Sequence, residues 1–501
     1  MIRPEGIYQA FLVNAIRKFS FEGIIPKLIA GICENLYTAE KTWEGFVRGK
    51  GFGPLLLIFL LLLTGDVDAG TAAIRDLREL KQDPVAYVDR GTADQLLLLE
   101  EEQRSLNAAY DVLQFAPWHL TTPRHTLEQV SWGFKEYGNN PGYGSEGRRH
   151  PRDWVQKMAF NAHIEDYPQG GFPAVTVKRI DFRVLPTRER HSTLPKRLGK
   201  HYPFDNLQES SAPPGTPVLV THRSRDRKWL LTETSYALGW VPATDLAAVD
   251  PEFMRSWESG RYAVITRDKT PVRDEKGIRR FRAPVGAVFP KVGEDARDTW
   301  ILTALRDDRG KALLRKARVP KAAAADKPLS LTPRHAAKLA AELIGEPYGW
   351  GGLDDKRDCS ALIRDLFTPF GLWLPRNSKE QAEAGRFISL RGLPPAEKTA
   401  LIVSRGVPWR TLLWTPGHIM LYIGVHQGQP LIFHSFWSVT TRDAAGNKGR
   451  VIVGRAAVTT LHPGRELSGG DLPRNDVEGM TLLGEPPESG SMPVAATVAT
   501  P

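Results

Sequence analysis

The chain has 501 residues, 41% hydrophobic and 25% charged, with a formal net charge of +10; this length exceeds one core, and the apolar content excludes a mainly disordered chain, so several modules of ~100 to 200 residues are expected. A basic surface suits an anionic partner such as nucleic acid, lipid or an acidic wall polymer. Lys and Arg are spread along the sequence without a zinc-finger, RNP or basic-helix pattern, which argues against nucleic acid.

In chain order, Pro54 to Leu63 is an uninterrupted apolar run behind Arg48 and Lys50. It is short of the ~20 residues of a membrane span and has the length of a signal-peptide core. Val67-Asp68-Ala69 offers a cleavage site before Gly70. Residues 1–69 are therefore read as a signal-like segment whose start codon lies downstream of Met1, with a buried core helix as the competing reading. Export implies a periplasmic or secreted protein without stable membrane insertion, and a cytoplasmic recycling role is the alternative.

Residues 70–171 carry helical spacing, with Leu77, Leu80 and Leu96 to Leu99 followed by the acidic run Glu100-Glu101-Glu102, a solvated helix face. A second helical segment opens at Phe115-Ala116-Pro117-Trp118, and Tyr137 to Gly144 is a loop. From Phe172 the period becomes that of strands. Val175-Thr176-Val177, Val218 to Thr221, Trp229 to Thr232 and Leu238 to Val241 are short segments divided by turns, and a second set runs through Ala263 to Ile265, Val288 to Pro290, Trp300 to Thr303 and Ala312 to Leu314. Two small β-barrels, 172–250 and 251–328, are expected, with Trp229 and Trp240 in the core. Ala322 to Pro328 reads as a linker, and 465–501 as a disordered tail.

The chemistry concentrates in 329–464. Thr332-Pro333 starts a helix with Thr as cap and Pro at its first position. The Gly-rich loop Tyr348-Gly349-Trp350-Gly351-Gly352 then gives way to Arg357-Asp358-Cys359-Ser360 and an apolar helical run. Cys359, one of two cysteines with Cys33, thus falls at a helix N-terminus, where the macrodipole is expected to lower its pKa and favour the thiolate. A buried structural thiol is the plain alternative. A nucleophile needs a base, and that base an orienting partner. His418 and His434, sixteen positions apart, begin or lie within two strand patterns separated by Gly428-Gln429-Pro430; a hairpin places them on one side of a sheet. His426 and His462 are read as structural. Leu374-Pro375-Arg376-Asn377-Ser378 is a further helix start, and Leu390 to Ser404 an insertion in the fifty-nine positions between Cys359 and His418.

The order Tyr-x-Trp-Gly-Gly, Asp-Cys-Ser, Gly-His-Ile and a further strand His resembles the NlpC-type papain-like cell-wall cysteine peptidases. Pro203 to Gln208 and Gly239 to Pro242 resemble the members with two SH3-like domains. The resemblance implies an α+β multidomain protein: a helical N-terminal stabilising domain, two SH3-like barrels and a papain-like peptidase domain. It implies Cys359 as nucleophile, His418 as base, His434 as orienting residue and Tyr348 as an oxyanion donor. Asp358 and Ser360 would hold the free amine of an N-terminal L-alanine, with a tyrosine from the first barrel, Tyr236 or Tyr202. The implied reaction is hydrolysis of the γ-D-glutamyl to L-diamino acid bond of peptidoglycan stem peptides or muropeptides by a monomer, without metal or cofactor. A non-catalytic wall-binding protein, or an acyltransferase, D,D-endopeptidase or amidase on the same fold, are the alternatives.

Overall fold

The computed structural model describes residues 74–194, 204–442, 446–467 and 476–486. Cys33, Tyr202 and the signal-like segment lie outside them.

The N-terminal region contributes helices α1 (Arg75–Glu79), α2 (Glu100–His119), α3 (Leu127–Gly138) and α4 (Trp154–Ala162). One helix stands where two were expected. The acidic run forms the first turn of α2, where negative charge meets the positive end of the helix dipole. Phe115 and Pro117 then continue α2, and residues 80–99 hold only a short 3-10 turn. Helix α2 acts as a brace. Gln103 donates to the carbonyls of Leu329 and Phe370, and the Trp118 indole donates to the Ala174 carbonyl at 2.7 Å.

The first SH3-like domain holds β1 (Phe172–Thr176), β2 (Ile180–Arg183), β3 (Gln208–Ala212), β4 (Pro217–Arg223), β5 (Trp229–Glu233), β6 (Leu238–Pro242) and β7 (Leu246–Ala248) in the order β3-β2-β6-β5-β4-β1-β7. After α5 (Pro251–Trp257), the second holds β8 (Tyr262–Ile265), β9 (Thr270–Asp274), β10 (Arg279–Ala283), β11 (Val288–Glu294), β12 (Asp298–Arg306), β13 (Ala312–Pro320) and β14 (Ala324–Asp326) in the order β10-β9-β13-β12-β11-β8-β14. Shifted by seven, the two orders are the same. Each sheet has two ends that do not pair with each other, so these are open curled sheets rather than the closed barrels expected. The stretch read as a linker instead supplies β14, which pairs with β8 and completes the second sheet.

The C-terminal domain comprises α6 (Pro333–Leu343), α7 (Cys359–Phe367), α8 (Ser378–Ala382), β15 (Gly385–Ser389), α9 (Pro395–Arg405), β16 (Thr411–Thr415), β17 (His418–His426), β18 (Gln429–Arg442), β19 (Lys448–Thr460) and β20 (Gly479–Leu483). Its sheet runs β15-β20-β16-β17-β18-β19. Alternation along β17 splits the core: Ile419, Leu421 and Ile423 join α6 and α7 through Leu339, Leu362 and Leu366, while Met420 and Tyr422 join Leu390 and Ile402. The insertion thus has a physical role, with α9 covering the second face of the sheet. The expected tail is corrected as well. Its residues Gly479–Leu483 form a buried strand between β15 and β16. No helix among the described residues is long and apolar enough to cross a membrane.

Candidate active site

The glycine pair before the cysteine exists because the first SH3-like domain lies against it. Gly351 and Gly352 have φ of 60° and 81°, a region that side chains disfavour. A Cβ on Gly351 would meet the Gln208 backbone, and one on Gly352 the Ser211 side chain. Gln208 also donates to the Gly351 carbonyl at 3.1 Å. The loop is closed from inside by Asp358, which caps α7 by accepting from Ala361 N at 2.9 Å and accepts from Gly351 N at 3.0 Å.

Cys359 is the first residue of α7 and 8% exposed. The Ile419 backbone N–H is near enough to favour its thiolate, which sets the sulfur near the start of β17. Burial, with the neighbouring Asp358 charge, pushes the thiol up to about 12, against the opposing pull of the Ile419 N–H and Arg376. The expected lowering by the helix terminus is therefore overturned: removal from water outweighs the dipole. The resting sulfur is a neutral thiol.

The hairpin of β17 and β18 brings the two histidines together. His418 Nε2 lies 2.8 Å from His434 Nδ1, leaving His418 Nδ1 as the ring nitrogen open to another partner. His434 is buried, stacks on Phe436 at 4.2 Å, and places its Nε2 3.0 Å from Thr459 Oγ1. Burial lowers His418 to about 4 and, together with His418, lowers His434 well below the ordinary range. Both rings are neutral near pH 7. Tyr348 is buried close enough to Cys359 and Asp358 for their charges, after burial itself, to raise its hydroxyl above the usual range, so it stays a donor.

Asp358 is already paired. Arg376 grips it with two nitrogens, at 3.1 and 2.5 Å, and also donates to Ser360 Oγ at 2.8 Å and to Ser210 Oγ of the first SH3-like domain at 2.9 Å. Burial raises the Asp358 carboxyl, but Arg376 and the two backbone N–H groups outweigh it and hold the group ionised below the usual range. Glu209 on β3, between Gln208 and Ser210, lies close enough to feel the Arg376 charge. This side chain reaches solvent, yet the surrounding protein raises its pKa against the pull of Arg376. The Tyr236 hydroxyl donates to the Ser211 carbonyl at 3.2 Å and its ring lies under Arg364 at 4.2 Å. The cleft rim is aromatic, with Phe204 within 6.2 Å of the rings of Tyr348, Trp350 and Trp437. Among the described residues no cluster of three or more His, Cys, Asp or Glu has metal-binding geometry.

Sequence reasoning missed Arg376, Gln208, Glu209, Ser210 and Thr459 as site residues. Arg376 and Gln208 lay inside quoted stretches, whereas Glu209 and Ser210 belong to a strand with little apolar alternation and Thr459 to an ordinary strand pattern.

Comparison with known proteins divides the chain in the same way. Residues 55–167 match the family model described as the NLPC_P60 stabilising domain, 193–242 an SH3 domain of SH3b1 type, 250–296 an SH3 domain of SH3b2 type and 345–445 the NlpC/P60 family. Among curated proteins, the peptidoglycan endopeptidase RipB of Mycobacterium tuberculosis is 32% identical over 25% of this chain and 51% of its own length. The chain thus spans about half the length of the curated relatives it matches. A solved structure described as an NlpC/P60 endopeptidase from Photobacterium damselae subsp. piscicida is 26% identical, covers 82% of this chain and 98% of its own, and superposes with a TM-score of 0.73. The chain belongs to the NlpC/P60 family, in the arrangement that sets a stabilising domain and two SH3 domains ahead of the NlpC/P60 domain.

Proposed function

We propose that this protein is an exported cysteine endopeptidase that hydrolyses the γ-D-glutamyl to L-diamino acid bond of peptidoglycan stem peptides, preferring stems with a free N-terminal L-alanine. The observation that carries this is the 2.8 Å contact between His418 and His434, with His418 adjoining Ile419, whose backbone N–H influences the Cys359 thiol. In the proposed cycle His418 Nδ1 takes the thiol proton as Cys359 attacks the γ-carbonyl. Because thiol and imidazole both rest neutral, this transfer accompanies attack and no ion pair is stored beforehand. The oxyanion is held by the Cys359 N–H and the Tyr348 hydroxyl, donors fixed before the charge develops. His418 returns the proton to the departing amine, and water then cleaves the thioester. The substrate ammonium faces Glu209, since Arg376 already neutralises Asp358. Ser360 and Asp358 set the floor of that subsite through Arg376.

Cys359→Ala should abolish release of L-Ala-γ-D-Glu from the purified tripeptide bearing meso-diaminopimelate. Turnover retained by that variant would exclude the assignment, and N-acylated tripeptide cleaved as fast as the free one would remove the amine subsite.

A further inference from the structure

A pair of neutral imidazoles can share one hydrogen bond in two ways, and only one of them leaves a base for the thiol. For His418 Nδ1 to accept a proton, His418 must carry its hydrogen on Nε2 and donate it to His434 Nδ1. His434 must then carry its own hydrogen on Nε2. In the reverse arrangement His434 donates from Nδ1, His418 holds its hydrogen on Nδ1, and no lone pair faces the sulfur. The 2.8 Å contact accommodates both. A third group has to choose.

That group lies at the far end of the relay. The Thr459 hydroxyl, fully buried on β19, has one proton and gives it to the Thr460 carbonyl at 2.8 Å. Its oxygen, 3.0 Å from His434 Nε2, therefore offers lone pairs to that nitrogen. We propose that Thr459 is a positioning residue that makes His434 the donor at Nε2, and thereby fixes His418 Nδ1 as the basic nitrogen. The assignment rests on the roles of Cys359 and His418 proposed above.

The strand that carries Thr459 is held for this purpose from outside the domain. β19 ends the sheet, and an edge strand has backbone groups with no ladder partner. The N-terminal region supplies them. Gln82 accepts from Val458 N at 3.0 Å and donates to Val458 O at 2.9 Å, and Asp76 accepts from both the backbone N–H and the hydroxyl of Thr460 at 2.7 Å. Both neighbours of Thr459 are thus fixed, including the residue whose carbonyl takes its proton.

The test reads tautomers directly, by nitrogen NMR of the full chain labelled at histidine, alongside turnover of the tripeptide. Wild-type His434 and His418 should each carry hydrogen on Nε2. Thr459→Val should shift His434 toward the Nδ1–H form and lower kcat about 10- to 100-fold, part of what general-base catalysis contributes, with KM within about twofold. Thr459→Ser should restore both readouts. Wild-type His434 protonated on Nδ1, or a Val variant that loses kcat with its tautomers unchanged, overturns the proposal. If the Val variant does not fold, Thr459→Ala removes the same acceptor without adding bulk and is read identically. Cys359→Ala assayed in the same series keeps the two questions apart: its turnover would sink the nucleophile assignment while leaving the tautomer measurement intact.

Discussion

The two SH3-like domains share one strand order and are used in opposite ways. The first adjoins the nucleophile loop: Gln208 pins the Gly351 loop, Ser210 receives Arg376, and Glu209 lies within the influence of the Arg376 charge. The second stands behind the nucleophile. Its Asp268 accepts from buried Arg357 at 2.8 Å, and its Gly286 presses so close to α7 that a Cβ would lie 2.7 Å from the Asp365 carbonyl oxygen. Arg357 precedes the Asp358-Cys359 pair and is shared with Asp365 at 2.8 Å and with Glu346. The side chains each domain presents, from strand β3 in the first and from the loops holding Asp268 and Gly286 in the second, rather than the shared strand order, set which part of the NlpC/P60 domain each one contacts.

That division is broken most severely at the junction with the first domain. Arg376→Ala leaves Asp358 buried without its cation, and removing one partner of a buried pair costs about 3–5 kcal/mol. Thermal unfolding should shift down accordingly and turnover should vanish; an unchanged Tm would mean that Asp358 is not dependent on Arg376. On the other side, Asp268→Asn takes one charged acceptor from Arg357 while Asp365 and Glu346 remain, so a loss of about 1.5–3 kcal/mol is expected. KM should hold, because no group touching substrate changes. A KM that rises in Asp268→Asn would erase the contrast between the domains.

The contrast is sharpened by Glu209→Gln. This change removes the charge proposed to meet the ammonium and breaks no ion pair, so Tm should stay constant while KM for the free-amine tripeptide rises roughly tenfold, equivalent to about 1.4 kcal/mol. The N-acylated tripeptide should be indifferent. Equal KM changes for both peptides would deny Glu209 the ammonium.

Much of this was legible in the residues because the relevant signals are local. The Gly-rich loop before Cys359, the Thr332-Pro333 start and the two strand histidines each depend on a few neighbouring positions, and α6, α7 and the β17–β18 hairpin form where those patterns lie. What stayed hidden depends on distant partners. Gln208–Ala212 has the sequence QESSA, with little apolar alternation, yet becomes a strand because a second domain buries its polar groups and satisfies them. Gly479–Leu483 is invisible behind a polar stretch until the gap between β15 and β16 is known. The thiol shows the same limit in energy: a helix terminus is readable from sequence, whereas the burial that outweighs it comes from β17 and the loop packed around it.

The last prediction concerns pH and tests whether the His418 ring is shielded from water. Burial holds His418 at about 4, against an ordinary 6.5 for the unfolded chain. Between those values the unfolded state binds more protons, so this group's contribution makes stability rise with pH across the window and fall as acid is added. It also keeps the base unprotonated. The acid limb of kcat/KM should therefore inflect near pH 4, with activity at pH 5.5 close to that at pH 7, while Tm declines over the same interval. Paired rate and unfolding measurements from pH 4 to 8 check both halves. A limb centred near 6.5 would mean that the His418 ring is hydrated in solution and that the relay stands open to water.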